Sequence, residues 1–227
     1  MKKTFAALAL AAAFAPFASV HAATISYTDS KPVTTTNWTD VLSFAKFDSS
    51  LGTLTSIRFD LSGVVQGVGN AESLDSSAST VTLSLGSLLS LKRPDNSTLV
   101  VTNPVFTQGF NFTAFDGSIN FGGTSGGTTG VVSANGSNFF VSTSASDFAL
   151  FSALGGGTIN LGLGAVGASS GNGSGNLITQ FNTAASGLAK VTYDYTPTGN
   201  VPEPASLALL CGGLGLIGAA RRRGKKA

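Results

Sequence analysis

Apolar and polar residues alternate with a period of two along much of this chain, and that alternation limits the possible fold more than any other feature. Ile57, Phe59 and Leu61 are separated by Arg58 and Asp60, Val81, Leu83 and Leu85 by Thr82 and Ser84, and Val191, Tyr193 and Tyr195 by Thr192 and Asp194. Successive side chains of a β-strand point to opposite faces, so each run makes a strand with one apolar and one wet face. Phe110 and Phe112 flank Asn111 in the same way, and further strands are expected over residues 24–28, 40–47, 98–106, 118–121, 138–143 and 158–163. No stretch between the two ends of the chain shows helical periodicity. About ten strands with Gly, Ser, Asn and Thr between them predict an all-β domain, an antiparallel β-sandwich. Phe47 to Gly52 reads as a strand closing in an Asp-led turn; with Leu54 restarting the alternation, a hairpin is expected there. The Gly-rich stretches 122–130, 155–157 and 167–175 are expected to be the weakest-ordered connections, because fixing glycine costs the most backbone entropy.

The two ends have a different character. Lys2 and Lys3 precede an apolar run from Phe5 to Val20, and Val20 and Ala22 stand where small residues mark a cleavage site. These are the parts of a secretory signal peptide, residues 1–22, removed by signal peptidase between Ala22 and Ala23. A run of that length containing Pro16 is short for a membrane span, which needs about 20 residues. At the other end, residues 196–200 read as a linker, Val201-Pro202-Glu203-Pro204 follows, and an apolar stretch from Ala205 to Ala220 leads into Arg221-Arg222-Arg223. As a helix that stretch reaches roughly 24 Å against a hydrocarbon core of about 30 Å, enough for a short transmembrane helix if flanking basic side chains snorkel. Arg221, Arg222 and Arg223 then act as the stop-transfer cluster and hold the C-terminus in the cytoplasm, with the domain of residues 23–195 outside.

Charge and residue usage narrow the chemistry. Residues 23–200 carry six Lys/Arg against ten Asp/Glu, a net charge of −4, which repels phosphate backbones and disfavours nucleic acid as a partner. Cleavage after Ala22 removes His21, the one histidine, leaving no imidazole for a Ser-His-Asp triad, a general base or a zinc site. Cys211 lies in the C-terminal apolar stretch, so the domain has neither disulfide nor thiol chemistry. Gly123 to Gly127 and Gly167 to Gly171 satisfy G-x-S-x-G around Ser125 and Ser169, but neither has the strand-turn-helix setting of a nucleophile elbow. A glycosidase needs two carboxylates across a cleft, and here only Glu72 and nine Asp are available; Asp48, Asp75 and Asp116 suit strand ends and turns. No cofactor or metal is expected. Trp38, Tyr27, Tyr193 and Tyr195 are the polar-tipped aromatics; Trp38 is either packed in the core or a turn, or a platform for glycan contact.

Two resemblances to known families follow from these residues. Val201-Pro202-Glu203-Pro204, the Leu-rich stretch with Leu207, Leu209, Leu210 and Leu214, and the terminal Arg cluster together resemble a PEP-CTERM sorting signal, residues 201–227. That resemblance implies recognition by an exosortase, an integral-membrane transpeptidase-like enzyme, with cleavage near the motif and release of the tail, in a Gram-negative maker of exopolysaccharide. A permanent single-pass anchor is the alternative. Trp38-Thr39-Asp40, Phe44, Phe47-Asp48, Leu51 to Leu54, Ile57 to Leu61 and Val191 to Tyr195 resemble the choice-of-anchor E domain, most clearly over residues 36–62 and 188–196. The expectation is a non-enzymatic exported protein of the cell surface or extracellular matrix, associated with exopolysaccharide and biofilm; the alternative is a glycan-binding module acting on that polysaccharide.

Overall fold

The computed structural model describes residues 22–173 and 175–198. The expected signal peptide up to His21, the sorting motif, the apolar C-terminal stretch and Arg221 to Arg223 lie outside the described residues. In chain order the elements are β1 (Ala23–Thr35), β2 (Trp38–Ala45), β3 (Phe47–Asp48), β4 (Gly52–Ser73), β5 (Ser79–Lys92), β6 (Thr98–Thr102), β7 (Val105–Phe112), β8 (Gly126–Thr128), β9 (Val132–Ser142), α1 (Ala145–Phe151), β10 (Ser152–Ala153), β11 (Thr158–Gly167), β12 (Ser170–Gly173) and β13 (Leu177–Pro197). Among the described residues, no helix is long and apolar enough to cross a membrane.

The alternating runs pair into two sheets that pack face to face. One sheet has the order β1-β13-β4, with β8 and β9 sharing the far side of β4; the other is built around β5, flanked by β12 and by β11-β2, with β6 and β7 also on β5. All pairings are antiparallel except the short contact of β3 with β10. Phe59, Leu61 and Val191 from the first sheet meet Phe44, Leu91 and Leu161 from the second in a fully buried core. Burying each such side chain contributes about 1.5–3 kcal/mol relative to leaving it in water. Gly63 and Gly187 lie on the inner face, where a Cβ would fall 2.8 Å from Leu89 Cδ1 and 2.9 Å from Leu163 Cδ2; the missing side chains make room for leucines of the opposite sheet.

The long strands β4, β5 and β13 run through the whole molecule, whereas their partners break at one level. Against β5, β6 gives way to β7 at Asn103-Pro104 and β11 gives way to β12 at Ala168-Ser169. Against β4, β9 gives way to β8 across residues 129–131. The result is a waist between a proximal half, holding Ala23 and Pro197, and a distal half with its own small cluster of Ala71, Val81, Leu83 and Phe112.

Several expectations are corrected. The described residues hold thirteen strands where about ten were expected: 118–121 is lost, the two-residue β3 and β10 are added, and β8 and β12 form inside the Gly-rich stretches expected as loose loops. Backbone hydrogen bonds to β4 and β5 need no side chains, so glycine content does not prevent pairing. Residues 118–121 are not a strand; Asn120 and Phe121 lie in a turn held from below by Glu72. A helix, α1, is present: Ser144 caps it by accepting from the Asp147 amide at 3.2 Å, a Ser-x-x-Asp signal on a segment too short to display periodicity. Phe47 to Gly52 does form an Asp48-led turn, with the Ser50 amide donating to Asp48 Oδ1 at 2.9 Å, but it makes no hairpin. β3 stays beside β10 while β4 crosses to pair with β13, so the turn is a corner between sheets. Thr196 and Pro197, read as linker, continue β13 opposite Thr53 and Gly52.

Candidate functional site

The proximal end brings together the first residue of β1 and the last of β13. Ala23, the first residue of β1, lies opposite Tyr195 of β13, so the expected cleavage point and the route to the sorting motif emerge side by side on adjacent strands. Asp194 fastens this end: its carboxylate accepts from Thr24 Oγ1 and Ser56 Oγ, each at 2.8 Å, linking β1, β13 and β4. The Thr198 amide and hydroxyl donate to the carbonyls of Leu51 and Ser50, at 3.1 Å each, which holds the chain to the Asp48 corner as it leaves. Asp48 also accepts from the Gly155 amide at 2.9 Å, bringing the 155–157 loop to the same place.

The tyrosines are spent on this end of the core. Tyr193 is fully buried, its hydroxyl donating to the Ala45 carbonyl at 2.9 Å, and burial raises its pKa above the ordinary phenol value. Tyr27 meets it edge-on at 6.2 Å and Phe47 packs on Tyr195 at 4.9 Å. A recess of about 260 Å³ lies among Tyr27, Tyr193, Phe47, Lys46 and the glycines 155–157.

The other sequence candidates are dispersed. Trp38 opens β2 opposite Ala165, half-buried against the main core, and its Nε1 is buried without a hydrogen-bond partner. Glu72 is fully buried in the distal half, accepting from the Asn120 and Phe121 amides at 3.2 and 2.6 Å and from Ser125 Oγ at 2.7 Å. It fastens the 113–128 connection and faces no cleft; Ser125 is equally buried and its hydroxyl is committed to this carboxylate. Ser169 shares a hydrogen bond with Thr183 at 3.0 Å across the waist. Asp75 and Asp116 accept from the Asn176 and Ser118 amides, as turn carboxylates do. Among the described residues, no three acidic, Cys or His side chains gather as a metal site.

One feature escapes the sequence reading. On the outer face of the second sheet, β11 carries Gly162 and Gly164, and a trough of about 440 Å³ opens over them, walled by Thr39 and Val41 of β2 and by Ser90 and Lys92 of β5. The sequence signal was the spacing Asn160-x-Gly162-x-Gly164, which period-two alternation places on one face.

Comparison with known proteins adds to the C-terminal end. Residues 200–224 match the family model of the PEP-CTERM protein-sorting motif. The chain carries a PEP-CTERM sorting motif. The motif marks an exported protein held transiently at the membrane and sorted by an exosortase. No curated protein matches the chain. Among solved structures it is similar to that of infectious bursal disease virus Gx strain, at 13% identity over 85% of this chain and 48% of that one, with a TM-score of 0.15. The VP2 subviral particle of infectious bursal disease virus gives 14% identity over 79% and 37%, with a TM-score of 0.18. The chain thus spans less than half the length of these structures, and at such TM-scores the similarity carries no argument about fold or function.

Proposed function

We propose that this is a non-enzymatic protein of the cell surface or extracellular matrix of a Gram-negative bacterium, associated with exopolysaccharide and biofilm. Signal peptidase would free Ala23, and exosortase would act at Val201-Pro202-Glu203-Pro204, releasing the apolar tail with Arg221, Arg222 and Arg223. The observation that carries the reading is the sorting-motif match over residues 200–224. The β domain supports it: Ala23 and Tyr195 are neighbours, so a domain hung by its C-terminal end would bring its new N-terminus back to the same end and present the distal half outward. We further propose that the domain is choice-of-anchor E-like, since the two segments carrying that resemblance are paired in space, Ile57 with Tyr193 and Asp60 with Lys190. The second reading is a glycan-binding module, with Trp38, half-buried against the core at the start of β2, as the candidate contact.

Intact mass spectrometry of the protein from surface and medium fractions tests the sorting step. A mass ending near Pro204 in the native host, with the tail retained when the exosortase is deleted, is the expected result. A mass running through Ala227 in both strains would establish a permanent anchor instead.

A further inference from the structure

Glycine weakens a strand, since it adds no side-chain packing and must be held against its own entropy, so a glycine inside a strand asks for a reason. For most strand glycines of this domain the reason lies within the chain. A Cβ at Gly63, Gly69 or Gly187 would come within 2.8–2.9 Å of a leucine side chain of the facing sheet. Gly162 and Gly164 have no such reason. The nearest atoms to a Cβ built there are Lys92 Cβ at 3.8 Å and Ser90 Oγ at 3.7 Å, which is ordinary contact distance, and neither has a positive φ. Gly109 also has open space, but it stands alone on β7, which among the described residues pairs only with β5. Gly162 and Gly164 are consecutive outward positions on a strand paired on both sides, so together they leave a groove with bare peptide as its floor.

What lines the groove defines the ligand. Thr39, Ser90 and Asn96 line it with hydroxyl and amide side chains. Lys92, like Lys46 and Lys190, forms no ion pair among the described residues, and the one carboxylate that lines the trough, Asp40, is matched by Lys31 at 2.8 Å. Val41, 62% exposed, gives the wall an apolar strip. A volume near 440 Å³ falls within the roughly 300–1,000 Å³ of small-molecule sites. Hydroxyl and amide groups for ring hydroxyls, an apolar strip for C–H faces, a flat floor and one unpaired cation match a short run of sugar rings bearing a carboxylate. We infer that the trough over Gly162 and Gly164 binds an acidic polysaccharide, with Lys92 pairing the uronate carboxylate. This deepens the surface-protein reading above and rests on it only for where the ligand is met.

The test is affinity electrophoresis of the purified full-length chain in detergent through gels containing polygalacturonate, alginate or neutral dextran. The wild type is expected to be retarded by at least one uronate polymer and not by dextran. Gly162→Thr/Gly164→Val fills the floor with residues that favour strands, so its thermal midpoint is expected to equal or exceed that of the wild type while retardation falls at least tenfold. Lys92→Gln is expected to reduce uronate binding severalfold with unchanged folding. No retardation by either uronate, undiminished binding by a folded floor-filled variant, or equal retardation in dextran overturns the proposal. The assay needs no exosortase, so its failure is separate from failure of C-terminal cleavage.

Discussion

The proximal and distal halves share the same three long strands and differ in what packs between them. Proximally, the cluster from Leu42 to Tyr193 joins both sheets and is closed by α1, whose Phe151 meets Phe59 edge-on at 4.9 Å. Distally, the buried cluster among the described residues is just Ala71, Val81, Leu83 and Phe112, and beside it sit buried Glu72, Ser73, Ser79 and Ser125. Where side chains are large, burial supplies the stability; where β8 and β12 supply mostly glycine, hydrogen bonds to a buried carboxylate take over the task of fixing the chain. The difference teaches that one pair of sheets can be held by two kinds of force, divided at a waist where the flanking strands break.

The largest effect should come from the proximal core. Phe59→Ala removes a fully buried ring with aromatic neighbours on two sides and is expected to cost about 3–5 kcal/mol in chemical denaturation. Leu83→Ala in the small distal cluster should cost nearer about 2 kcal/mol, because fewer fixed neighbours surround the cavity. Equal losses at both positions would abolish the distinction between the halves.

Next in size is the ion pair that locks the proximal corner. Arg93 Nε and Nη2 donate to the two oxygens of nearly buried Asp147 at 2.7 and 2.9 Å, tying the β5–β6 turn to α1. Hydrogen bonding to that guanidinium holds the Asp147 carboxyl below the ordinary value of 3.8, against the opposing effect of burial. The folded value is the lower one, so the pair's stabilisation is complete above the unfolded carboxyl's range, about pH 4, and is lost as pH falls through the folded value. Asp147→Asn should cost about 3 kcal/mol at neutral pH and flatten that acid limb of the stability profile, read by thermal unfolding at a series of pH values.

The smallest effect sharpens the comparison by being local. Glu72→Gln leaves the Asn120 and Phe121 amides a neutral oxygen in place of a charged one, and turns the group facing Ser125 into a donor, so that Ser125 must accept where it donated. The expected cost is about 1–3 kcal/mol, seen in hydrogen exchange as faster amides at Asn120 and Phe121 with the proximal strands unchanged. Uniform loss of protection along β4 would mean that the two halves unfold as one.

Much of this arrangement was legible beforehand. Ile57 to Leu61, Val81 to Leu85 and Val191 to Tyr195 are strands with the expected faces, because period-two alternation reports a half-buried sheet directly. β8, β12 and α1 were not legible, since glycine-rich pairing and a single capped turn leave no hydrophobic period behind. For Trp38 the sequence allows both core and platform, and in the structure it is half-buried against the core, at the start of β2. The trough over Gly162 and Gly164 was missed for a similar reason: a site made by leaving side chains out carries no chemical signature along the chain.

The sequence by itself determined the all-β class and the sorting motif, both of which are written in short contiguous patterns. Which strand pairs with which was decided only in three dimensions, as was the meeting of Ala23 with Tyr195, the division into two halves and the burial of Glu72 beneath the 113–128 connection. The physical reason is that alternation specifies a face for every residue and no partner for any. Partners are chosen by how facing side chains fill space, and that choice joins residues far apart in the chain.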